Sequence, residues 1–339
     1  MGPVTPRVQA ATTDEGPSLS LVEAAHLPAA QVLVELASGP DGLTEDEVTR
    51  RRAVVGANVI RSHRVRPWQV FMRQIRSPLL ALLPPLRTLL RDTLKDGGQG
   101  DAIATLTEGG IDLLVEAEAR LDLFDRERLA AFADDNDLAR LSWRRPGIGL
   151  VEPLARRRPA IVSFAGVPVE PAPGGFLQPS AEGERALAAL VFDAVGGRAS
   201  VADLYAGCGS FTFPLAQKAQ VHAVEGDAAA ITALKAASDR TGGRISAEQR
   251  DLAHRPLLPD ELKRFQAVVF DPPRAGAAPQ AEQLALGGPS LVVAVSCNPA
   301  TLARDARILA KGGYRLTLAT PVDQFPWSAH LETVAVFER

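Results

Sequence analysis

The sequence predicts an α/β fold whose C-terminal half is a mostly parallel sheet with helices on both faces. Three observations carry that expectation. Short apolar runs near 201–205, 221–225, 244–248, 267–271, 291–296, 314–319 and 331–337 alternate with helical stretches, the pattern of parallel strands joined by crossover helices. The first run passes through a turn with two glycines one residue apart, Gly207 and Gly209, into a helix. The second ends in an acid, Glu225, at the ~20-residue spacing where a carboxylate can meet ribose hydroxyls.

Taken in order, residues 1–18 have the Pro, Thr and Gly content of a disordered lead. Residues 19–83 read as helical. Positions 19–37 are weakly periodic, and Thr44 with Glu47 three residues on forms a capping box for a helix that runs to about Val55 and stops at Gly56-Ala57-Asn58. Between residues 50 and 76 there are eight arginines and no acid, with Trp68 and Phe71 at helical spacing. Such a run reads as a solvated basic face or an interfacial one. Residues 84–175 read as a small α+β module, with a helical Leu/Arg stretch to Leu94, strands around 102–106 and 110–115, a helix over 126–134, strands at 139–143 and 159–164, and a Pro/Gly linker at 171–175. A helix over 180–192 then leads into the sheet of residues 176–339.

Composition narrows the class. At 339 residues with 46% hydrophobic and 23% charged content, the chain has room for two or three soluble domains. No apolar run reaches the ~18 residues of a membrane span; the longest, 78–86, is interrupted by Pro84 and Pro85. The polar N-terminus lacks the apolar core of a secretory signal. With Cys208 and Cys297 alone, neither a disulfide framework nor a four-cysteine metal or iron–sulfur site can be built. A cytoplasmic, metal-free protein is expected. The net charge of -3 argues against a general polyanion binder, so any nucleic-acid contact is local. One patch suits it, residues 140–158, with six arginines, Trp143 and the single acid Glu152; the other reading is a solvated face.

The chemistry lies at strand ends. Cys297 sits where the valine-rich run 291–296 gives way to Pro299 and a helix, so its sulfur is expected to face the positive helix end, which favours thiolate. Asp271 precedes Pro272 and Pro273, which end ladder pairing and place it at its strand's terminus. Tyr205, Glu225, Asp271 and Cys297 thus share the carboxyl edge of the sheet, where such sheets bind ligands. If the last strand runs antiparallel, Glu332 near its start joins them.

These motifs carry a resemblance. Phe176-Leu177-Gln178, Asp203-Leu204-Tyr205-Ala206-Gly207-Cys208-Gly209, Phe270-Asp271-Pro272-Pro273-Arg274-Ala275-Gly276, Ser296-Cys297-Asn298-Pro299 through Arg304-Asp305, and His330-Leu331-Glu332-Thr333-Val334 make residues 84–339 similar to the S-adenosylmethionine-dependent uracil-C5 RNA methyltransferases of 23S ribosomal RNA and the transfer-RNA T-loop. The resemblance implies a class I, Rossmann-like, seven-stranded methyltransferase sheet with S-adenosyl-L-methionine as cofactor. It implies cofactor contacts at Gln178, Tyr205, Gly207, Gly209, Ser210, Glu225 and Asp271, and the substrate base at Phe176 and Asp271. Cys297 would add to uracil C6, making C5 nucleophilic, and Glu332 would remove the C5 proton. The implied partner is structured RNA, ribosomal ahead of transfer RNA, and the implied state a monomer. Two features depart from the family: Ser180 and Ser210 stand where members often carry Asn, and its RNA-binding barrel and iron–sulfur cluster have no counterpart in the sequence.

Residues 21–83 resemble a different family, the cytoplasmic lead of cation-transporting P-type ATPases, through Gly42-Leu43-Thr44, Glu47-Val48, Arg51-Arg52, Gly56-Ala57-Asn58, Pro67-Trp68 and Arg76-Ser77-Pro78-Leu79. No membrane helix and no Asp-Lys-Thr-Gly-Thr motif follows, so ion pumping is not implied. Two other readings compete with the uridine enzyme. An amino-group methyltransferase would carry Tyr where Arg274 stands. A fused or truncated, catalytically impaired chain would act only as an interaction protein.

Overall fold

The computed structural model describes residues 29–38, 43–55, 77–94, 98–147, 149–324, 328 and 330–339. The expected disordered lead, the helix stop at 56–58 and the Trp68 and Phe71 stripe lie outside the described residues. The chain forms two compact units, residues 1–65 and 66–339. In the first, α1 is Ala29–Glu35 and α2 is Glu45–Val55. α2 shows half of the expected capping box, with Thr44 Oγ1 accepting the Glu47 amide at 3.4 Å; the Glu47 side chain turns to arginines rather than back to Thr44. The Glu47 carboxylate is taken by Arg50 (2.7 Å) and Arg51 (2.6 Å), whose guanidiniums hold it down to about 2. Arg51 Nη2 also donates to the Leu36 carbonyl at 2.8 Å, so two arginines of the basic run are paired within this unit.

The second unit opens with α3 (Pro78–Thr93), which runs through Pro84 and Pro85 and so through the composition change at 84. These prolines remove two amide donors. The carbonyls they free belong to Leu80 and Ala81, both exposed, where water can satisfy them. Leu82, Leu86, Leu89 and Thr93, three or four residues apart, form the buried face. That face meets a sheet of four strands, β1 (Gly100–Thr107), β2 (Gly110–Ala117), β3 (Arg140–Arg144) and β4 (Val151–Arg156), paired in chain order. Between β2 and β3, the parallel pair, runs the crossover helix α4 (Leu123–Asp135), started by a reciprocal Asp122/Asp125 capping box. Leu113, Val115, Leu141 and Trp143 pack with Leu82, Leu86, Leu129 and Phe132 into one core.

Two expectations for this region change. The strand expected at 159–164 is shorter and belongs to a hairpin, β5 (Val162–Phe164) with β6 (Val167–Val169), turned by Ala165 and Gly166 at φ 50° and 83°. The unforeseen β4 lies ahead of it. The arginine patch is also not a free basic face, because acids from elsewhere in the chain answer it. Arg140 is buried, 2.6 Å from Asp112, and donates to the Pro171 carbonyl at 2.8 Å. Arg144 pairs with Glu116 (2.7 Å), Arg156 with Glu170 (2.9 Å), Arg157 with Asp134 (2.6 Å) and Arg158 with Asp137 (2.7 Å).

The remainder is the large sheet: β7 (Ser200–Leu204), β8 (Gln220–Glu225), β9 (Ile245–Gln249), β10 (Ala267–Phe270), β11 (Leu291–Ser296), β12 (Arg315–Val322) and β13 (Glu332–Glu338), in the order β12-β13-β11-β10-β7-β8-β9. β13 alone runs against the direction of the other six strands. The chain steps outward from β7 to β9 and then resumes on the other side at β10, so the order reverses between β7 and β10. A crevice forms at the carboxyl ends there. The helices are α5 (Ala181–Val195), α6 (Thr212–Leu215), α7 (Ala228–Ser238), α8 (Pro259–Leu262), α9 (Ala278–Gly287) and α10 (Pro299–Lys311). Alternate strand residues explain the two layers: Val201, Val293, Val295 and Val334 pack with Leu187 and Val191 of α5, while Leu204, Phe270, Val292 and Ala335 pack with Leu284 and Leu309. Among the described residues no helix is long and apolar enough to cross a membrane.

The Arg140–Asp112 pair is therefore part of the core. Arg140→Met should destabilise the second unit by about 3–5 kcal/mol, since Asp112 is left buried without its partner. Adding Asp112→Leu should restore much of the loss. Urea unfolding measures this, and an unchanged midpoint in Arg140→Met would refute the structural role.

Candidate active site

A cleft of about 920 Å³ opens at the carboxyl edge of the large sheet. Its walls hold nearly every residue singled out in the sequence: Phe176, Gln178, Tyr205, Gly207, Ser210, Glu225, Asp271, Cys297 and Glu332. Phe176 is at the rim with 79% of its surface exposed. Ser180 is not in the wall; its Oγ caps α5 by accepting the Gly183 amide at 3.1 Å.

The glycine turn follows from backbone geometry. Tyr205 is left-handed at φ 59°, an uncommon state for a residue with a side chain, and Gly207 and Gly209 follow at φ 56° and 110°. A Cβ on Gly209 would lie 2.3 Å from the Phe213 ring, whereas one on Gly207 would meet nothing within 4 Å. Space beside Gly207 is thus open to a ligand. Glu225 ties this turn to β8: its Oε2 accepts the Gly207 amide and its Oε1 the Asp227 amide, both at 2.8 Å. Beneath, fully buried Asp203 accepts the Thr212 hydroxyl at 2.5 Å on Oδ2, while Oδ1 has no partner among the described residues. Burial pushes this carboxyl up to about 7.

Across the crevice, Gln178 Nε2 donates to Asp271 Oδ2 at 3.4 Å. Burial, then Glu332 and Asp203, push Asp271 up to about 8, which favours its protonated form. The loop behind it is clamped to α10. Asp305 accepts the Ala277 amide at 2.7 Å, Arg304 donates to the Ala275 carbonyl at 2.9 Å, and Asn298 Nδ2 donates to the Arg274 carbonyl at 3.1 Å.

Cys297 follows the last residue of β11, and Ser296 pairs with Thr333 of β13. That register brings Glu332 to the thiol's edge of the sheet. The expected thiolate-favouring helix end is corrected here: Asn298, not Cys297, caps α10, accepting the Ala300 amide at 3.0 Å. Burial and then Glu332 push the Cys297 thiol up, against the opposing pull of Arg274. Burial likewise raises Glu332, again opposed by Arg274. Cys208 is buried among Phe164, Phe213 and Ile231, and burial pushes it up to about 12; it fills the core.

Sequence reading gave no role to Arg274 as a charge, nor to Asp203 or Gln324, because each acts through partners distant in sequence. If Arg274 supplies the compensating field, Arg274→Ala should move the alkylation pH profile of Cys297 further alkaline than wild type, where it already lies above the ordinary thiol range of about 8.5. Iodoacetamide kinetics on a Cys208→Ala background measure it. A wild-type midpoint below 8.5, or no alkaline shift in the variant, would contradict the assignment.

Residues 24–84 match the cation transporter/ATPase N-terminus family, and residues 169–339 match the tRNA (uracil-5-)-methyltransferase family. An uncharacterised RNA methyltransferase of Rhizobium meliloti is 42% identical over 294 residues, spanning 86% of this chain and 69% of the relative. One from Brucella suis is 47% identical over 263 residues, 77% of this chain and 62% of the relative. The 23S rRNA (uracil(1939)-C(5))-methyltransferase RlmD of Aeromonas salmonicida is 33% identical over 270 residues, 78% of this chain and 61% of the relative. The chain therefore spans about three fifths of the length of several curated relatives. The fold is shared with the tRNA (uracil-54, C5)-methyltransferase of Pyrococcus abyssi, solved with S-adenosyl-L-homocysteine, at a TM-score of 0.59 and 21% identity over 77% of this chain and 66% of that one. With a family model covering the whole large sheet and relatives of this identity, the chain belongs to the tRNA (uracil-5-)-methyltransferase family.

Proposed function

We propose that this protein methylates C5 of a uridine in structured RNA, through a covalent bond between Cys297 and the base. The observation that carries the reading is the placement of Cys297 and Glu332 on paired antiparallel strand ends, in the same cleft as the glycine turn and Glu225. The likeness to an enzyme of 23S ribosomal RNA at 33% identity favours ribosomal RNA as substrate. A purely interaction-bearing chain would not need a cysteine and three carboxyls gathered at one sheet edge.

The open space beside Gly207, the pinned Glu225 carboxylate and Ser210 fit the ribose and amino-acid ends of S-adenosylmethionine. That cofactor supplies an electrophilic methyl group on a sulfonium. The chain's own residues do the rest. The Cys297 thiol gives its proton to solvent, its sulfur bonds to uracil C6, and the C5–C6 π pair moves onto the C4 carbonyl as an enolate, whose C5 is now nucleophilic; the sulfur recovers a proton when it is later expelled. Asp271, in its protonated form, is a hydrogen-bond donor suited to that developing oxyanion. Once C5 is methylated, Glu332 takes the C5 proton, the C5–C6 double bond re-forms and the carbon–sulfur bond breaks with its pair returning to sulfur. A carboxylate raised by burial is a stronger base than an ordinary one, which suits Glu332 to this step. Phe176, exposed at the rim, offers a stacking face to an extruded base.

The direct test is methyl transfer from labelled cofactor to total RNA of cells lacking 5-methyluridine, with the modified nucleotide mapped by mass spectrometry. Label in no uridine would reject the reading. Glu225→Ala should weaken cofactor binding by about 1–3 kcal/mol, read by calorimetry; equal affinity would remove Glu225 from the cofactor site. Glu332→Gln should trap a denaturant-resistant RNA–protein band on a gel, because the adduct forms but cannot lose its proton. Cys297→Ala should show neither band nor methylation, and a band in that variant would move the nucleophile elsewhere.

A further inference from the structure

Gln324, in the connection between β12 and β13, is buried at 8% exposure and starts a hydrogen-bond chain into the cleft. Its Nε2 donates to Gln178 Oε1 at 3.1 Å, and Gln178 Nε2 donates to Asp271 Oδ2 at 3.4 Å. An amide has one donor end and one acceptor end. With the Gln178 carbonyl engaged by Gln324, the end left for Asp271 is the donor. Gln324 is held in turn by close packing: a Cβ on Gly183 would lie 2.1 Å from its Oε1 and 2.5 Å from its Cδ. That Oε1 is buried without a hydrogen-bond partner among the described residues. A buried acceptor left unsatisfied is unfavourable and calls for a reason, and the contact its donor end makes supplies one.

We propose that Gln324 is a positioning residue that fixes the direction of this chain, so that Asp271 turns its remaining oxygen to the edge of the target base as a hydrogen-bond donor. The inference rests on the uracil-C5 reading of the cleft. A carboxylic acid that receives the Gln178 amide on one oxygen holds its proton on the other, and burial favours the protonated form of Asp271. A donor there matches O4 of uracil, an acceptor, and opposes the N4 amino group of cytosine, a donor. Without Gln324 the Gln178 amide can turn. Its carbonyl would then take the Asp271 proton and leave an acceptor facing the base, which suits cytosine. Gln324 thereby contributes to the choice of pyrimidine without touching it.

The test uses the full chain and a transcript of the mapped site carrying either uridine or cytidine at the target, with labelled S-adenosylmethionine. Gln324→Leu and Gly183→Ala should each lower kcat/KM for uridine about tenfold, the effect of one hydrogen bond, and should lower the ratio of uridine to cytidine methylation. The double variant should be no worse than either single one, since both act through the same hydrogen-bond chain. Alanine is the better helix former, so Gly183→Ala should keep or raise the thermal midpoint while losing discrimination, which a packing defect would not do. Wild-type kcat/KM and base ratio in both single variants would overturn the proposal, as would losses that only follow a falling thermal midpoint. A wild-type chain that methylates no uridine would instead reject the uracil-C5 reading.

Discussion

The cleft depends on the seating of β13 between β11 and β12. Glu332 and Cys297 are far apart in sequence, and the Ser296–Thr333 register is what sets them at one edge. Because side chains alternate along a strand, a slip of one residue would carry the carboxylate to the opposite face. The register is held by apolar contacts on both sides: Val334 and Val336 enter one core layer, Ala335 and Phe337 the other. The proposed base is thus placed by the hydrophobic core, and its chemistry inherits the stability of the sheet.

Burial then determines the charges. Asp203, Asp271 and Glu332 are all raised, Asp271 in part by the other two. Carboxyls so close to one another cannot all ionise cheaply, so the edge holds protons that separate acids in water would release. Arg274 works in the opposite direction, lowering both Cys297 and Glu332. Burial therefore favours protons at this edge, and Arg274 opposes it at Cys297 and Glu332. The cofactor wall enters this balance through Glu225, whose charge adds to the rise of Asp203.

Much of this was legible in the sequence because it is local. Valine-rich runs, the two-glycine turn and the double proline after Asp271 fix strand ends within a residue or two, so the shared edge of Tyr205, Glu225, Asp271 and Cys297 follows from counting. What escaped depends on partners far along the chain. The arginines of 140–158 read as a surface patch until Asp112, Glu116, Glu170, Asp134 and Asp137 fold against five of the six. β4 was hidden by Pro153 and by side chains only partly buried. The Cys297 thiol was expected to be lowered by a helix end, but Asn298 occupies that end, and burial followed by Glu332 raises it instead. Gln324 gave no signal at all, since its role appears only when Gly183 and Gln178 are beside it.

The clamp of Asp305, Arg304 and Asn298 onto residues 274–277 joins the acid at the end of β10 to the sulfur at the end of β11. These two groups keep their spacing as a module, while the glycine turn and Glu225 belong to a second one across the strand-order reversal. The two are still joined where β10 pairs with β7 and the Asp271 amide donates to the Leu204 carbonyl at 3.3 Å. A change in the clamp therefore acts on the spacing of thiol and acid directly, and on the glycine turn only through that shared strand pair.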